Sequence, residues 1–297
     1  MTLTIATSLD QVLAGLAAGA RPIAGGTDLV VGARQRKASM PETLVAIDRL
    51  EELAQIDADK THTSIGSGVT HARLMTNEVV VNNFTAIADA AALVGSPATR
   101  NVGTLGGNVM NGSPAMDTGA PLVVLGAVVE LASVEGNRTL SLDELWMGPG
   151  TTSARSHELC TALVIPNPEE RSGSAYVRLE YRRAMEIAVV GAAANIVLDG
   201  DGSVASARVA LTAVAPTIVE VEGLDDLAGL SPTEAATRAE AASAEQATPI
   251  SDLRASDRYR RHTIGVMARR AVDAAARRAA GEEIAVPVNR ALGIGAS

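Results

Sequence analysis

The sequence predicts an α+β protein with two domains. Two observations support this: a β-hairpin pattern lies in the second half of the chain, and two alanine-rich helical segments follow it. The hairpin pattern consists of apolar runs at 187–198 and 204–214 around the Asp-Gly-Asp-Gly turn sequence at 199–202. Helices are expected at 232–245 and 263–280. Strands followed by helices are typical of α+β domains.

The N-terminal half is expected to alternate short strands and short helices. Ser8 with Gln11 predicts the start of the first helix, and Gly19 predicts its end. Further elements are expected as strands at 21–24, 44–47, 63–65, 128–134 and 158–165, and as helices at 71–76, 85–94 and 121–127. Residues 95–119 are dense in Gly, Asn, Ser, Pro and Thr and show no helix or strand period. Such a stretch predicts a long functional loop.

The best domain boundary is the segment 166–173, which is rich in proline, glycine, serine and charge. It divides the chain into a first domain at 1–170 and a second at 171–297. Aromatic residues make up only 2 % of the 297 residues, so Ala, Val, Leu and Ile must fill both cores.

Composition also excludes several classes of function. The net charge of −9 argues against nucleic acid as a partner, because a phosphate backbone requires a basic surface. No apolar run approaches the roughly 20 residues of a membrane helix, and residues 1–10 lack the pattern of a signal peptide. We therefore expect no membrane insertion and a cytoplasmic location. The single cysteine, Cys160, excludes an internal disulfide and an iron–sulfur cluster held by several thiolates of this chain.

Two glycine-rich motifs carry the functional prediction. The first is Ile23-Ala24-Gly25-Gly26-Thr27-Asp28, and the second is Asn101-Val102-Gly103-Thr104-Leu105-Gly106-Gly107-Asn108. Paired glycines let backbone amides approach an anion closely, and successive amides can hold phosphate oxygens. The alternative for either motif is a tight turn without a binding role. Neither motif has the spacing of a Walker loop or of the Rossmann fingerprint.

The two motifs resemble those of the FAD-binding medium subunits of molybdenum hydroxylases. This family includes the medium subunit of carbon monoxide dehydrogenase and the flavin domain of xanthine dehydrogenase. The resemblance covers residues 8–270, and the second motif extends from Arg100 through Ser113-Pro114-Ala115-Met116-Asp117. It implies the two-subdomain FAD-binding fold of the vanillyl-alcohol oxidase type, with FAD between the subdomains, and a small α+β C-terminal domain with a three-stranded sheet.

The resemblance also implies roles for individual residues. Both motifs would wrap the FAD diphosphate, through Ile23, Ala24, Gly25, Gly26, Thr27, Asp28, Thr104, Gly106, Gly107 and Asn108. Asp117 would bond the ribityl chain, and its alternative role is a cap for the helix at 121–127. Cys160 would lie against the isoalloxazine, most simply as a buried inert thiol. Arg178 takes the place of a flavin-side lysine, and its alternative is a solvated surface position.

By the same resemblance, this chain carries FAD as an electron-transfer subunit and contributes no catalytic acid or base. Electrons would arrive from an iron–sulfur small subunit with [2Fe-2S] centres and leave to an acceptor such as NAD or oxygen. Substrate chemistry would occur at the molybdopterin of a large subunit. Two alternatives stay open: an assembly subunit whose flavin site has decayed, and a stand-alone flavin oxidase.

Overall fold

Four sheets and a set of mostly short helices form the part of the chain that the computed structural model describes, residues 1–36 and 38–294. The strands are β1 (Thr2–Ile5), β2 (Arg21–Ile23), β3 (Thr43–Ala46), β4 (Ile56–Ala58), β5 (His62–Gly66), β6 (Val128–Ser133), β7 (Gly136–Ser141), β8 (Trp146–Gly148), β9 (Thr151–Thr152), β10 (Leu159–Pro166), β11 (Ser172–Leu179), β12 (Val190–Leu198), β13 (Val204–Thr212) and β14 (Val219–Glu220).

The helices are α1 (Leu9–Ala17), α2 (Thr27–Arg34), α3 (His71–Leu74), α4 (Glu78–Asn83), α5 (Thr85–Leu93), α6 (Pro97–Val102), α7 (Leu105–Asn111), α8 (Gly119–Val124), α9 (Leu142–Leu145), α10 (Pro232–Gln246), α11 (Asp257–Ala279) and α12 (Val288–Ala291). No helix among the described residues is both long enough and apolar enough to cross a membrane.

The chain divides into two compact units that are interleaved in sequence. Unit 1 comprises residues 1–71, 97–112 and 127–166, and unit 2 comprises 72–96, 113–126 and the remainder from 167 onward. The boundary predicted at residue 170 divides the sequence into two continuous domains, and it stays a prediction.

Unit 1 contains a small parallel sheet in the order β1-β3-β2 and an antiparallel sheet in the order β4-β5-β10-β6-β7. Helix α1 begins as the sequence predicts, because the Ser8 hydroxyl accepts a hydrogen bond from the Gln11 amide. Its apolar face buries Val12, Leu13 and Leu16 in the core of this unit. The parallel sheet matters for the site, since the first glycine motif begins at the end of β2.

Unit 2 is built on a sheet in the order β11-β12-β13-β14, with α10 and α11 packed together and α11 against the sheet. The expectation of three strands was wrong, because the two-residue strand β14 adds an edge to β13. Helix α11 starts at Asp257 rather than at 263. Ser256 caps it by accepting from the Tyr259 amide, and the first turn is too rich in charge to show an apolar period.

The expectation of an irregular loop at 95–119 was also wrong. Helices α6 and α7 occupy most of it, and α8 begins at its last residue. Each of these helices has six or seven residues. Fewer than two turns give too few positions for a helical period to appear in the sequence.

Candidate functional site

The first glycine motif turns the chain from β2 directly into α2. Gly26 is the residue before the helix and has φ of 66°, in the left-handed region that glycine adopts without strain. No side chain caps this end of the helix. The first turn of α2 therefore opens onto the motif with its backbone N–H groups uncovered.

A run of five backbone amides lies at this turn. Within residues 1–36 and 38–294, no group accepts a hydrogen bond from the amides of Gly25, Gly26, Thr27, Asp28 or Leu29. The next amide, that of Val30, is the first to bond inside the turn, to the carbonyl of Gly26. Uncovered amides at a helix N-terminus attract anions, both as donors and through the helix dipole. This arrangement suits a phosphate group.

The second glycine motif runs through α6 into α7, and the amides around its paired glycines already donate hydrogen bonds within the chain. Leu105 and Gly106 donate to carbonyls of the preceding segment, those of Val69 and Ser67, each over 2.9 Å. The Gly107 amide donates to the hydroxyl of Thr104, which caps α7, over 3.1 Å. The first motif therefore presents five amides without an acceptor among the described residues, whereas these three amides of the second motif fix its own conformation. The amide nest expected for the diphosphate stays a prediction.

The structure does bring the two motifs together. A Cβ built on Gly25 would lie 1.9 Å from the carbonyl oxygen of Val102, so only glycine allows this approach. Gly103 faces the first motif in turn, since a Cβ there would lie 3.6 Å from the Thr27 hydroxyl. The second motif thus supports the loop that presents the uncovered amides.

These residues fit the diphosphate of a dinucleotide. The five amides supply donors without a positively charged side chain, and the Thr27 hydroxyl lies beside them. Asp28 is exposed in the first turn of α2, and Gly107 is exposed on α7. Ile23 is the last residue of β2 and Ala24 follows it, and Asn108 lies in α7. The roles expected for these residues toward FAD stay predictions.

Asp117 and Arg178 lie in unit 2, where they form a buried ion pair. The Arg178 guanidinium is 2.7 Å from Asp117 Oδ2, and the Tyr176 hydroxyl donates to Asp117 Oδ1 over 2.8 Å. Arg178 also pairs with Glu180 over 2.8 Å, and its side chain is fully buried. Burial raises the pKa of Asp117, and the charge of Arg178 opposes that rise.

Two alternatives for these residues were therefore wrong. Asp117 does not cap the helix predicted at 121–127, because α8 begins at Gly119 after Thr118 and has no side-chain cap. Arg178 is not a solvated surface residue, because it lies in β11 with its charge matched by buried carboxylates. The expected ribityl contact of Asp117 and flavin-side position of Arg178 stay predictions.

Cys160 lies in β10 of unit 1, next to a bulge between Cys160 and Ala162. Burial, with a smaller contribution from the charge of Glu130, raises the pKa of the Cys160 thiol to about 12. The thiolate is the reactive form, so this environment supports an inert thiol. Its expected position beside the isoalloxazine stays a prediction.

We expect iodoacetamide at about pH 8 to leave Cys160 unmodified in the folded protein, since only about one thiol in ten thousand is then ionised. Unfolding in denaturant should expose the thiol and give one carbamidomethyl adduct. Intact-mass spectrometry measures both states, with glutathione as a reactive control. Stoichiometric alkylation of the native protein would show that the thiol is accessible.

Sequence reasoning missed two side chains beneath the second motif, Ser67 and His71. Both are buried, and Ser67 Oγ and His71 Nδ1 have no hydrogen-bond partner among the described residues. The sequence places them just after β5, far along the chain from either motif. Only the pairing of their backbone with the second motif, with Thr70 opposite Thr104, reveals their position.

Comparison with known proteins identifies the family of this chain. Residues 1–168 match the family described as FAD binding domain in molybdopterin dehydrogenase. Residues 175–275 match the CO dehydrogenase flavoprotein C-terminal domain. The chain is 34 % identical over 270 residues to the carbon monoxide dehydrogenase medium chain of Afipia carboxidovorans, covering 90 % of this chain and 93 % of the relative. For the xanthine dehydrogenase FAD-binding subunit of Escherichia coli O157:H7, identity is 30 % over 267 residues, and the coverages are 89 % and 91 %.

Solved structures give the same result. A carbon monoxide dehydrogenase structure from Hydrogenophaga pseudoflava superposes with a TM-score of 0.87 at 29 % identity, covering 93 % of this chain and 96 % of that chain. Quinoline 2-oxidoreductase from Pseudomonas putida 86 superposes with a TM-score of 0.85 at 28 % identity, covering 94 % and 98 %. The chain belongs to the family of FAD-binding subunits of molybdenum hydroxylases, which confirms the resemblance, the fold class and FAD as its cofactor.

Proposed function

We propose that this chain is the FAD-carrying electron-transfer subunit of a molybdenum hydroxylase, accepting electrons from an iron–sulfur partner and releasing them to an external acceptor. The observation that carries the proposal is the run of uncovered amides at the start of α2, held against the second motif in a chain that matches the FAD-binding family. The chain's class as an oxidoreductase subunit follows from its family.

In this function the residues of the chain hold and orient the cofactor. The amides of the first motif and the Thr27 hydroxyl would bind the diphosphate, and the second motif would keep that loop in place. FAD, when bound, supplies the electron-accepting and electron-donating chemistry, whereas the protein supplies position and electrostatics. No acid or base of this chain is needed for that task.

The proposed partners follow from the names of the relatives and from the cysteine content. Relatives are named as a carbon monoxide dehydrogenase medium chain and as a nicotinate dehydrogenase FAD-subunit of Eubacterium barkeri, both parts of larger assemblies. With one cysteine, this chain cannot ligate a [2Fe-2S] cluster through its own thiolates. We therefore assign iron–sulfur and molybdopterin centres to two other subunits in the cytoplasm, with NAD or oxygen as the final acceptor.

The purified chain is expected to be yellow and to release FAD, with no FMN, on acid precipitation. Its flavin should be reduced by dithionite, and the chain alone should oxidise no organic substrate with an added dye. Absorbance spectra, chromatography of the released flavin and dye-reduction assays measure these three properties. Activity is expected only after the iron–sulfur and molybdopterin subunits are added.

Two results would contradict the proposal. A colourless chain that takes up no FAD would favour the assembly subunit with a decayed site. Sustained turnover of an organic substrate by the pure chain would favour the stand-alone flavin oxidase.

A further inference from the structure

Asp28 is the one residue of the first glycine motif whose side chain opposes an anion. The motif otherwise supplies uncovered backbone amides and the Thr27 hydroxyl, all of which can donate to a phosphate oxygen. An ionised carboxylate accepts hydrogen bonds only, and it repels a phosphate group at short range. Binding of the diphosphate alone therefore leaves the presence of this carboxylate unexplained.

The carboxylate lies at the same helix end as the uncovered amides. Asp28 is the second residue of α2, and no side chain caps that helix. Cα–Cβ bonds in an α-helix lean toward its N-terminus, so a side chain in the first turn leans toward the amides there. The amides of residues 25–29 nevertheless have no acceptor among the described residues, so Asp28 does not cover them.

The Asp28 carboxylate has no partner of its own within the described part of the chain. Partial burial raises its pKa, with no hydrogen bond or positive charge to oppose the rise. Glu144 and Glu234 show the usual arrangement in the first turns of α9 and α10. Each bonds to the serine that caps its helix, and those bonds lower its pKa. Asp28 therefore lacks the stabilisation that these two first-turn carboxylates have.

A ligand with a hydroxyl group beside its phosphate would supply the missing partner. In FAD the diphosphate joins the ribityl chain to a ribose, and both carry hydroxyl groups, whereas inorganic phosphate and pyrophosphate carry no alcohol. A hydroxyl that donates to a carboxylate forms a charge-assisted hydrogen bond, which is stronger than one between neutral groups. Neutral amides alone would bind any phosphate, and specificity often requires an element that opposes the wrong ligand.

We propose that Asp28 is a specificity-determining residue, whose carboxylate accepts a hydrogen bond from a sugar hydroxyl next to the FAD diphosphate and repels phosphate anions that lack one. This inference rests on the proposed function, since it assumes that FAD occupies the first motif. It gives Asp28 a role distinct from that of the amides, which hold the diphosphate itself. The site then selects a nucleotide over inorganic anions through one side chain.

The test compares FAD with inorganic pyrophosphate on the flavin-free full-length chain. FAD is titrated by fluorescence, and pyrophosphate is measured by its competition with FAD at low ionic strength. We expect Asp28→Ala to raise the Kd for FAD roughly tenfold, because losing a charge-assisted hydrogen bond outweighs removing a screened like charge. The same change should lower the inhibition constant of pyrophosphate about fivefold. Asp28→Asn keeps an acceptor without the charge, so it should lose less FAD affinity and gain as much for pyrophosphate.

Asp10→Ala is the matched control, since Asp10 is likewise exposed and second in its helix, α1, whose N-terminus Ser8 caps. It should leave both constants as in the wild type, and urea unfolding measures any loss of stability common to the two substitutions. If Asp28→Ala binds FAD as tightly as the wild type, or if its affinities for FAD and pyrophosphate change in the same direction, this inference alone fails. It also fails if pyrophosphate competes with FAD in none of the proteins. A wild-type chain that binds no FAD would overturn the proposed function as well.

Discussion

Gly25→Ala is expected to raise the Kd for FAD roughly a hundredfold, or about 3 kcal/mol. The added Cβ would lie 1.9 Å from the Val102 carbonyl oxygen, whereas real Cβ contacts essentially never fall below 3.0 Å. One motif must therefore move away from the other by about 1 Å, and the uncovered amides move with it. Fluorescence titration with FAD measures the change.

Gly32→Ala is the matched control for this substitution, since it makes the same chemical change seven positions further along, inside α2. A Cβ at Gly32 meets nothing within 4 Å, so FAD affinity should not change and the helix should gain about 0.5–1 kcal/mol. Circular dichroism shows whether both variants keep their secondary structure. Wild-type FAD affinity in Gly25→Ala would mean that contact between the motifs is not required for binding.

Asp117→Ala is expected to lower the free energy of unfolding of unit 2 by about 3–5 kcal/mol, the cost of breaking a buried ion pair. The substitution removes the carboxylate 2.7 Å from the fully buried Arg178 guanidinium, and it removes an acceptor of the Tyr176 hydroxyl. Glu180 alone would then balance Arg178, although Glu180 is already paired with Arg290. Urea unfolding followed by circular dichroism measures the loss.

An exposed aspartate–arginine pair in the same unit provides the control. Asp226 lies 2.9 Å from Arg238, and more than half of each side chain is exposed. Asp226→Ala should therefore cost no more than about 1 kcal/mol. The double variant Asp117→Ala with Arg178→Met should recover part of the loss, since Glu180 keeps Arg290 as its partner. A cost for Asp117→Ala no larger than that for Asp226→Ala would refute the buried-pair account.

Local signals predicted the elements that depend on local interactions. The Ser8 cap placed the start of α1, and the turn at 199–202 placed the hairpin of β12 and β13. The loop predicted at residues 95–119 was wrong, because α6 and α7 are too short to show a helical period in the sequence. The cap at Thr104 shapes α7 locally, yet it resembles any loop threonine in sequence.

The candidate site was likewise predicted only in part from the sequence. The two glycine motifs were predicted to act together, and the contact of Gly25 with Val102 places them together in unit 1. Which amides are uncovered depends on which carbonyls face them, and that follows only from tertiary structure. Arg178 shows the same limit, because its acidic partner Asp117 lies 61 residues away along the chain.

The interleaving of the two units limits how this protein can be divided or recombined. Helix α5 packs on β11, and the buried Asp89 carboxylate joins Arg278 and the backbone of Tyr176 and Val288. The segment that matches the C-terminal family, residues 175–275, therefore lacks residues that complete its own interior. These residues lie both before and after the segment in the chain. The matched segment is therefore incomplete as a transferable domain. Moved alone into another protein, it would carry the buried Tyr176 and Arg178 without their partners Asp89 and Asp117. Exchange between relatives should therefore succeed for the whole subunit, and a crossover near residue 170 should demand compatible residues at both aspartate positions.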